Sequence, residues 1–224
     1  MIALAIELSS VAGSVALFRD GQVIAERSWR EKYVRAQQVF RALPEMLEET
    51  HLTVDAIGAF LVGRGPGSYS GLRVAITAAR AMALPGNSLV YTVSSGEALV
   101  LEVARDMKDG NIAIMGDARR ETLWLGMFEV KDRQVTCTLP WAVVAIGDVA
   151  SRLPAGSVIA SPDWTRLEPA LPGLGIRGVQ QERFPQARYV GELALAKWKA
   201  GLPSEPLVPI YVHPAVGATT PLGA

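Results

Sequence analysis

Short hydrophobic runs, separated by turns rich in glycine, serine and aspartate, dominate the first half of the chain. Continuous apolar runs of this length are typical of buried strands, which we predict at residues 2–8, 14–18, 23–29, 57–62 and 89–93. Arg-Asp-Gly-Gln at 19–22 is a hairpin signal. Apolar residues at helical spacing predict helices at 35–50, 71–84 and 95–105. Pro44 lies within the first helix and should kink it or move its start.

The same order of elements returns after Asp-Gly at 109–110. Strands are predicted at 112–116, 122–130 and 134–139, with turns at 117–120 and 131–133. Two copies of the strand meander, at 2–29 and 112–139, indicate an internal duplication. Residues 154–185 are rich in proline and glycine and show few periodic signals. A helix at 188–200 and a strand at 207–212 follow, and the tail after Pro214 is predicted to fray.

Meanders followed by helices, in two copies, predict an α/β protein of two similar lobes. The ribonuclease-H-like and actin-like ATPase (ASKHA) architecture is built in this way, with nucleotide held in the cleft between its lobes. We predict lobes at residues 1–109 and 110–224, the second of them reduced.

Composition limits the partners and the location of the chain. Lys plus Arg equals Asp plus Glu at 22 each, whereas a free-standing nucleic-acid binder usually carries a basic excess. Any RNA contact is therefore expected to pass through a partner. A single cysteine, Cys137, excludes a disulfide framework and fits a reducing cytosol. Residues 1–7 read as a strand rather than a signal peptide, and no apolar run reaches the roughly 18 residues of a membrane helix. We expect a cytoplasmic protein without a membrane anchor.

A glycine-rich turn, with glycines at 63, 65, 67 and 71, connects the strand at 57–62 to the next helix. Glycines there let backbone N–H groups approach a phosphate at a helix N-terminus. The turn lacks the lysine of a Walker loop, and Ser68 and Ser70 stand where a dinucleotide fingerprint needs its third glycine. The alternative is a tight strand-to-helix turn with Ser70 as the N-cap. The sequence leaves both interpretations open.

The helix that follows is apolar almost all the way round. Its one polar stripe consists of Arg73, Thr77 and Arg80. The stripe lies between two apolar surfaces. One is a face of Leu72, Ile76, Ala79 and Ala83, and the other is an arc of Val74, Ala75, Ala78, Ala81 and Met82. One side can pack on the sheet of its own lobe, and the other needs a cover. That cover is either the helix at 35–50 or a second polypeptide. Anchors worth about 1.5–3 kcal/mol each would support micromolar association with such a partner.

The polar candidates for chemistry are few. Glu7 and Asp117 end equivalent strands, where carboxylates can hold a magnesium–nucleotide complex. They also fit ordinary turn chemistry, with Asp117 in an ion pair with the arginines that follow it. His51 and His213 are the only histidines, so there is no metal-ligand spacing and no pattern that pairs Ser68 or Ser70 with a base. We predict no catalytic residue and no metal site.

Several motifs together resemble the bacterial TsaB (YeaZ) family. The most specific is Gly-Arg-Gly-Pro-Gly-Ser-Tyr-Ser-Gly-Leu-Arg at 63–73. Three further segments agree with the family in order and spacing. They are the first hairpin with Leu-Ala-Ile-Glu-Leu-Ser-Ser at 4–10, the Asp-Ala-Arg-Arg-Glu segment at 117–121, and the segment at 205–212. Three places depart from the family pattern. Glu7 replaces an aspartate, Val-Arg-Ala-Gln at 34–37 replaces a His-Thr-Gln segment, and Val-His at 212–213 replaces Leu-Arg.

The resemblance implies a non-catalytic subunit of a threonylcarbamoyltransferase complex, which modifies tRNA next to the anticodon. It implies a TsaD-like catalytic paralogue and a TsaE-like ATPase as partners, with TsaD carrying the metal through a His-x-x-x-His motif. It also leaves open a homodimer through the same helices. The implied partner interface comprises Phe40, Leu43, Leu47, Leu72, Arg73, Ile76, Thr77, Ala79, Arg80 and Ala83.

A weak nucleotide contact at Glu7, Ser9, Gly65, Gly67 and Ser68 is the accompanying expectation. No cofactor is expected to bind tightly, and ATP or ADP would bind only at a composite site formed with partners. The alternative function is an autonomous small-molecule kinase or ATPase of the actin/sugar-kinase superfamily. A peptidase role is a third alternative, against which the missing Ser/His pattern argues.

Overall fold

The computed structural model of the chain describes residues 1–30, 37–132, 134–170, 177–178 and 182–212. Two five-stranded sheets carry these residues, each covered by helices.

The first sheet has the strand order β3-β2-β1-β4-β5. Its strands are β1 (Ile2–Glu7), β2 (Ala12–Arg19), β3 (Gln22–Arg30), β4 (Ile57–Gly63) and β5 (Leu89–Val93). The first three strands form an antiparallel meander, and β4 and β5 run parallel to β1. The central strands β1 and β4 are buried on both faces, which is why their sequences are continuous apolar runs.

The second sheet repeats this arrangement with the order β10-β9-β6-β7-β8. Its strands are β6 (Gly110–Arg119), β7 (Thr122–Lys131), β8 (Gln134–Ala145), β9 (Val158–Ala160) and β10 (Arg177–Gly178). Two short helices lie between its later strands, α4 (Val149–Arg152) between β8 and β9, and α5 (Trp164–Leu167) between β9 and β10. The matching strand orders confirm the duplicated ribonuclease-H-like fold, and the shortness of β9 and β10, of three and two residues, confirms that the second lobe is reduced.

Four longer helices cover the sheets. They are α1 (Val39–Glu49), α2 (Tyr69–Ala83), α3 (Ser95–Ala104) and α6 (Ala187–Lys199). Side chains of α1 and α2 share one hydrophobic cluster with the first sheet. Among the described residues no helix is long and apolar enough to cross a membrane.

Each sheet is packed against a helix that belongs, by its position in the chain, to the other lobe. Leu99 and Val100 of α3, which precedes the second sheet in the chain, share a hydrophobic cluster with Ile112 of β6. Conversely, α6 packs on the first sheet, where a Cβ built on Gly191 would lie 2.3 Å from the ring of Phe18. The helices α3 and α6 also contact each other. The boundary at 109/110 stays a prediction, since each sheet is covered by a helix from the other side of it.

Some boundaries differ from the sequence-based predictions. The helix predicted from 35 is described from Val39, with Pro44 inside it, and residues 35 and 36 lie outside the described residues. The turn predicted at 117–120 is confirmed between these strands but begins too early, because β6 continues to Arg119 and the turn occupies 120–121. The strand predicted at 207–212 is wrong. That segment runs without a ladder partner, and the Ile210 N–H donates to the carbonyl of Arg64. His213 and the tail after Pro214 lie outside the described residues.

Candidate functional site

A cleft of about 570 Å³ opens between the two lobes. The turn after β1, the start of α2, the end of β6 and the helix α5 all contribute to its walls. The lining residues are Ser9, Ser10, Val11, Gly67, Ser68, Tyr69, Ser70, Asp117, Ala118, Arg119, Trp124, Pro162, Asp163, Arg166 and Val212. Three of the five predicted nucleotide contacts, Ser9, Gly67 and Ser68, are among them.

The first half of the glycine turn is used for packing. The Gly65 N–H donates to Ser95 Oγ at 2.9 Å. Its carbonyl accepts from the Ser95 N–H at 2.8 Å and from Ser94 Oγ at 3.1 Å. Gly65 is buried and does not line the cleft. Both of its polar groups therefore hold the start of α3, and neither is directed to a ligand.

The second half of the turn crosses directly over the β1–β2 turn. The Ser68 N–H donates to the carbonyl oxygen of Ser9 at 2.6 Å. A Cβ built on Gly67, whose φ is +153°, would lie 2.2 Å from that same oxygen. Ser68 Oγ accepts from the Gly71 N–H at 3.3 Å, which makes Ser68 the N-cap of α2. The prediction of Ser70 as the N-cap is wrong by two residues, because α2 begins at Tyr69.

Glu7 is enclosed beneath the cleft floor. Its side chain is fully buried, and Oε1 accepts from the Ser9 N–H at 2.5 Å. Oε2 has no hydrogen-bond partner among the described groups, and it lies 1.9 Å from the position that a Cβ on Gly63 would take. Burial raises the pKa of Glu7, and hydrogen bonds from Ser9 and Ser95 oppose this. Glu7 does not line the cleft, so the structure does not place it against a cleft ligand.

Asp117 is held in an ion-pair network on the opposite wall. Its carboxylate lies 2.5 Å from Arg166 and 3.3 Å from Arg119. Its main-chain N–H donates to Asp163 Oδ2 at 2.9 Å. Burial raises the pKa of Asp163, against the effect of that hydrogen bond and of Arg166. The local ion-pair interpretation of Asp117 is confirmed. The residues Asp163 and Arg166 were missed, because the stretch that holds them has no periodic signal.

The ten predicted interface residues divide into two groups. Six of them are buried, and these are Leu72 and the five residues Leu43, Leu47, Ile76, Ala79 and Ala83, which lie within one hydrophobic cluster of the N-terminal lobe. Their packing in that cluster, which includes Leu4, Ile6 and Phe60, accounts for their apolarity without a second polypeptide. Phe40, Arg73, Thr77 and Arg80 are exposed. The argument from an uncovered apolar face is therefore wrong for the first group, and the interface itself stays a prediction.

An exposed aromatic cluster lies at the mouth of the cleft. The rings of Tyr69 and Tyr211 have centroids 5.5 Å apart. The guanidinium of Arg73 stacks 3.9 Å above the Tyr69 ring and donates to Tyr211 Oη at 3.1 Å. This cluster unites the start of α2 with the C-terminal segment. Sequence reasoning missed it, since 138 positions separate Arg73 from Tyr211.

The described residues contain no group of three or more His, Cys, Asp or Glu side chains placed to hold a metal ion. They also place no histidine in a hydrogen bond with Ser68, whose hydroxyl caps α2.

Comparison with known proteins identifies the family. A family model described as "TsaD: tRNA N6-adenosine threonylcarbamoyltransferase" matches residues 34–166, more than half of the chain. The chain belongs to this TsaD family. The matched residues include the glycine turn, Asp117 and Arg166, so the TsaD-family match covers most of both cleft walls.

Curated relatives agree with the resemblance to TsaB, which is confirmed. The tRNA threonylcarbamoyladenosine biosynthesis protein TsaB of Bacillus subtilis is 30% identical over 151 residues, 66% of this chain and 64% of that protein. TsaB of Escherichia coli is 37% identical over 94 residues, 41% of this chain and 39% of that protein. The matched stretch spans less than two thirds of either relative.

Solved structures agree on the fold. YeaZ from Pseudomonas aeruginosa has a TM-score of 0.75 at 24% identity, over 94% of this chain and 99% of that one. A protein described as similar to peptidase YEAZ, from the same organism, has a TM-score of 0.80 at 24% identity, over 95% and 99%.

Proposed function

We propose that this chain is a non-catalytic subunit in the threonylcarbamoyladenosine modification of tRNA, and that it binds and supports a TsaD-like catalytic paralogue. The observation that carries the proposal is the family match across the glycine turn and the Asp117 wall, together with two relatives named for this biosynthesis. The sequence agrees with a supporting role, since its two histidines, at 51 and 213, form no His-x-x-x-His motif.

The docking surface of this proposal is the exposed side of α1 and α2. Arg73, Thr77 and Arg80 face solvent along α2, and Phe40 is 64% exposed at the start of α1. The outer side of α1 is acidic, with Glu45, Glu48 and Glu49 exposed. Exposed aromatic residues and arginines are both enriched among the anchors of protein–protein interfaces. The buried leucines and alanines of both helices hold this surface rigid from beneath.

In this proposal ATP or ADP binds only at a composite site, formed by this chain together with its partners. The cleft is lined by Tyr69 and Ser70 at the N-terminal end of the 15-residue helix α2, where the helix dipole favours an anion. Its other wall offers two carboxylates and two arginines that pair with one another. A partner is therefore expected to supply the remaining positive charge for ATP or ADP. We also expect a TsaE-like ATPase in the assembly and tRNA contact through the partners.

Co-elution with a TsaD-like protein tests the proposal. The wild-type chain should elute with it in size-exclusion chromatography, and Arg73→Glu/Arg80→Glu should elute alone with an unchanged circular dichroism spectrum. Arg152→Glu, on the exposed end of α4 in the other lobe, is the matched control and should co-elute. Failure of the wild type to bind would overturn the supporting role. Binding by the double variant would move the docking surface elsewhere.

The volume of the cleft also favours a second candidate, an autonomous kinase or ATPase. The purified chain alone would then hydrolyse ATP, and Asp117→Asn would abolish that turnover. No turnover above a blank without protein would remove this candidate.

A further inference from the structure

Three of the four edge strands of the two sheets are protected from pairing with another chain. β3 carries Glu26, Arg27 and Arg30, each in an ion pair with a residue outside the strand. β5 is covered by the C-terminal segment, where the Thr92 N–H donates to Ser204 Oγ at 2.9 Å. β10 is only two residues long. Charge, a covering segment and shortness are common ways in which sheet edges avoid further pairing.

The fourth edge strand, β8, has none of these protections over its first half. It is the longest described strand, with 12 residues, and its one strand neighbour is β7. Residues 134–138, Gln-Val-Thr-Cys-Thr, are all exposed and carry no charge, and valine and threonine are typical strand formers. The ladder with β7 is regular from Gln134 to Cys137. A bulge and Pro140 interrupt the edge only beyond Cys137.

The stretch 134–138 matches a second copy of itself in antiparallel pairing. Directly opposite residues of an antiparallel pair have side chains on the same face, and the faces alternate along each strand. A two-fold axis perpendicular to the sheet therefore has to pass through a residue of β8. With the axis at Thr136, the middle of the stretch, Thr136 faces its own copy, Val135 faces Cys137 and Gln134 faces Thr138.

These opposed pairs favour a second copy over a different strand. No like charges meet in any of them, and a Thr–Thr pair is a favourable cross-strand contact. Main-chain groups on the outer side of β8 would gain hydrogen-bond partners, because β7 pairs with the inner side alone. The neutral stretch also offers no charge that would select a charged strand of another protein.

We propose that this chain associates with a second copy of itself along β8, by antiparallel pairing centred on Thr136. The second-lobe sheets of the two copies then form one continuous sheet. The docking surface proposed for the TsaD-like partner lies on α1 and α2, which cover the first sheet. Self-association through β8 can therefore fail or succeed independently of that proposal.

Sedimentation velocity of the full chain from about 10 to about 500 µM tests the proposal. The wild type should dimerise reversibly. Thr136→Glu should weaken the dimer at least about tenfold, because two carboxylates would meet at the axis, each beside Glu129 of its own copy. Ser28→Glu, at an exposed position of the edge strand β3, is the matched control and should dimerise as the wild type does.

The variant Arg73→Glu/Arg80→Glu should also dimerise as the wild type does, which separates β8 from the surface of α2. A wild type that stays monomeric over the whole range would overturn the proposal. Dimerisation of Thr136→Glu with wild-type affinity would overturn it too, since the contact would then lie elsewhere.

Two further variants test the register. A mixture of Thr136→Glu and Thr136→Lys should regain the dimer, because the opposed side chains then form an ion pair. Thr136→Cys with Cys137→Ser should form a covalent dimer under mild oxidation, since Cβ atoms of opposed residues lie about 4.5–5.5 Å apart. Ser28→Cys with Cys137→Ser should not. Failure of either the mixture or the cross-link would overturn pairing centred on Thr136.

Discussion

The main-chain N–H of Ser68 donates a 2.6 Å hydrogen bond to the carbonyl oxygen of Ser9. This bond joins the glycine turn before α2 to the turn after β1, so the two loops form one floor of the cleft. Gly67 lies at the crossing, with its Cα hydrogens against the Ser9 carbonyl. The family's glycine-rich signature thus serves a close backbone crossing at this point.

Gly67→Ala should destabilise the fold by about 1–3 kcal/mol, because the new Cβ would lie 2.2 Å from a main-chain oxygen that cannot move aside. Urea unfolding followed by circular dichroism measures the loss. Gly156→Ala is the matched control, since Gly156 also has a positive φ, +76°, but open space around it. It should cost about 1 kcal/mol or less. Equal losses in the two variants would show that backbone strain, and not the crossing, is the cause.

Glu7→Gln should change the pH dependence of stability. Burial raises the pKa of Glu7 in the folded state above its ordinary value of 4.5, so the folded state binds more protons than the unfolded state above about pH 4.5. The contribution of Glu7 is therefore fully present below that pH and is lost as pH rises through the folded-state pKa. Glutamine keeps an acceptor for the Ser9 N–H and does not titrate.

Chemical unfolding of the wild type and Glu7→Gln across pH 4 to 8 measures this difference. The stability of Glu7→Gln relative to the wild type should rise with pH, and comparing the two removes the common contributions of Asp163 and Glu102. A difference that stays constant over the range would mean that Glu7 is ionised in the folded protein.

Ile76→Glu should prevent folding, whereas Thr77→Glu should be tolerated. Ile76 is 5% exposed and packs in the cluster beneath α2, so a carboxylate there would be buried without a partner. Thr77 is exposed on the same helix, and its replacement should change stability by less than about 0.5 kcal/mol. Thermal unfolding of both variants checks this. A stable Ile76→Glu would show that this side of α2 faces outward.

Arg64→Ala should loosen the C-terminal segment. Arg64 is half-buried, lies 2.9 Å from Glu205 and donates from Nε to the Val208 carbonyl at 2.8 Å. Its own carbonyl accepts from the Ile210 N–H. Removing the side chain should cost about 1.5–3 kcal/mol and speed proteolytic cleavage within 203–212.

The matched control is Arg41→Ala, which breaks the exposed pair with Glu45 on α1. Exposed pairs of this kind contribute about 1 kcal/mol or less, so stability and cleavage rate should stay near the wild-type values. If both variants are cleaved equally fast, Arg64 does not hold the segment.

The strands were predicted well because their signal is local. Residues 89–93 were predicted and observed with the same bounds, and the two meanders occur where the repeated pattern placed them. The short strands β9 and β10 were missed, because segments of three and two residues are too short to show a hydrophobic period. The predicted strand at 207–212 failed for a related reason. Its main chain forms isolated hydrogen bonds, such as that from the Ile210 N–H to Arg64, and its side chains form local contacts, such as the stacking of Tyr211 on Tyr69, so no strand ladder forms.

The sequence by itself determined the duplicated α/β pattern, the glycine turn and its family, since each depends on neighbouring residues along the chain. Only the tertiary structure decided which side of α2 is enclosed, because two apolar arcs on one helix look alike until a sheet covers one of them. It also decided that Glu7 is buried beneath the cleft floor. It brought Asp163 and Arg166 into contact with Asp117, although at least 46 positions separate them along the chain. Such pairings follow from how the strands and helices pack in three dimensions, and distances along the chain do not encode them.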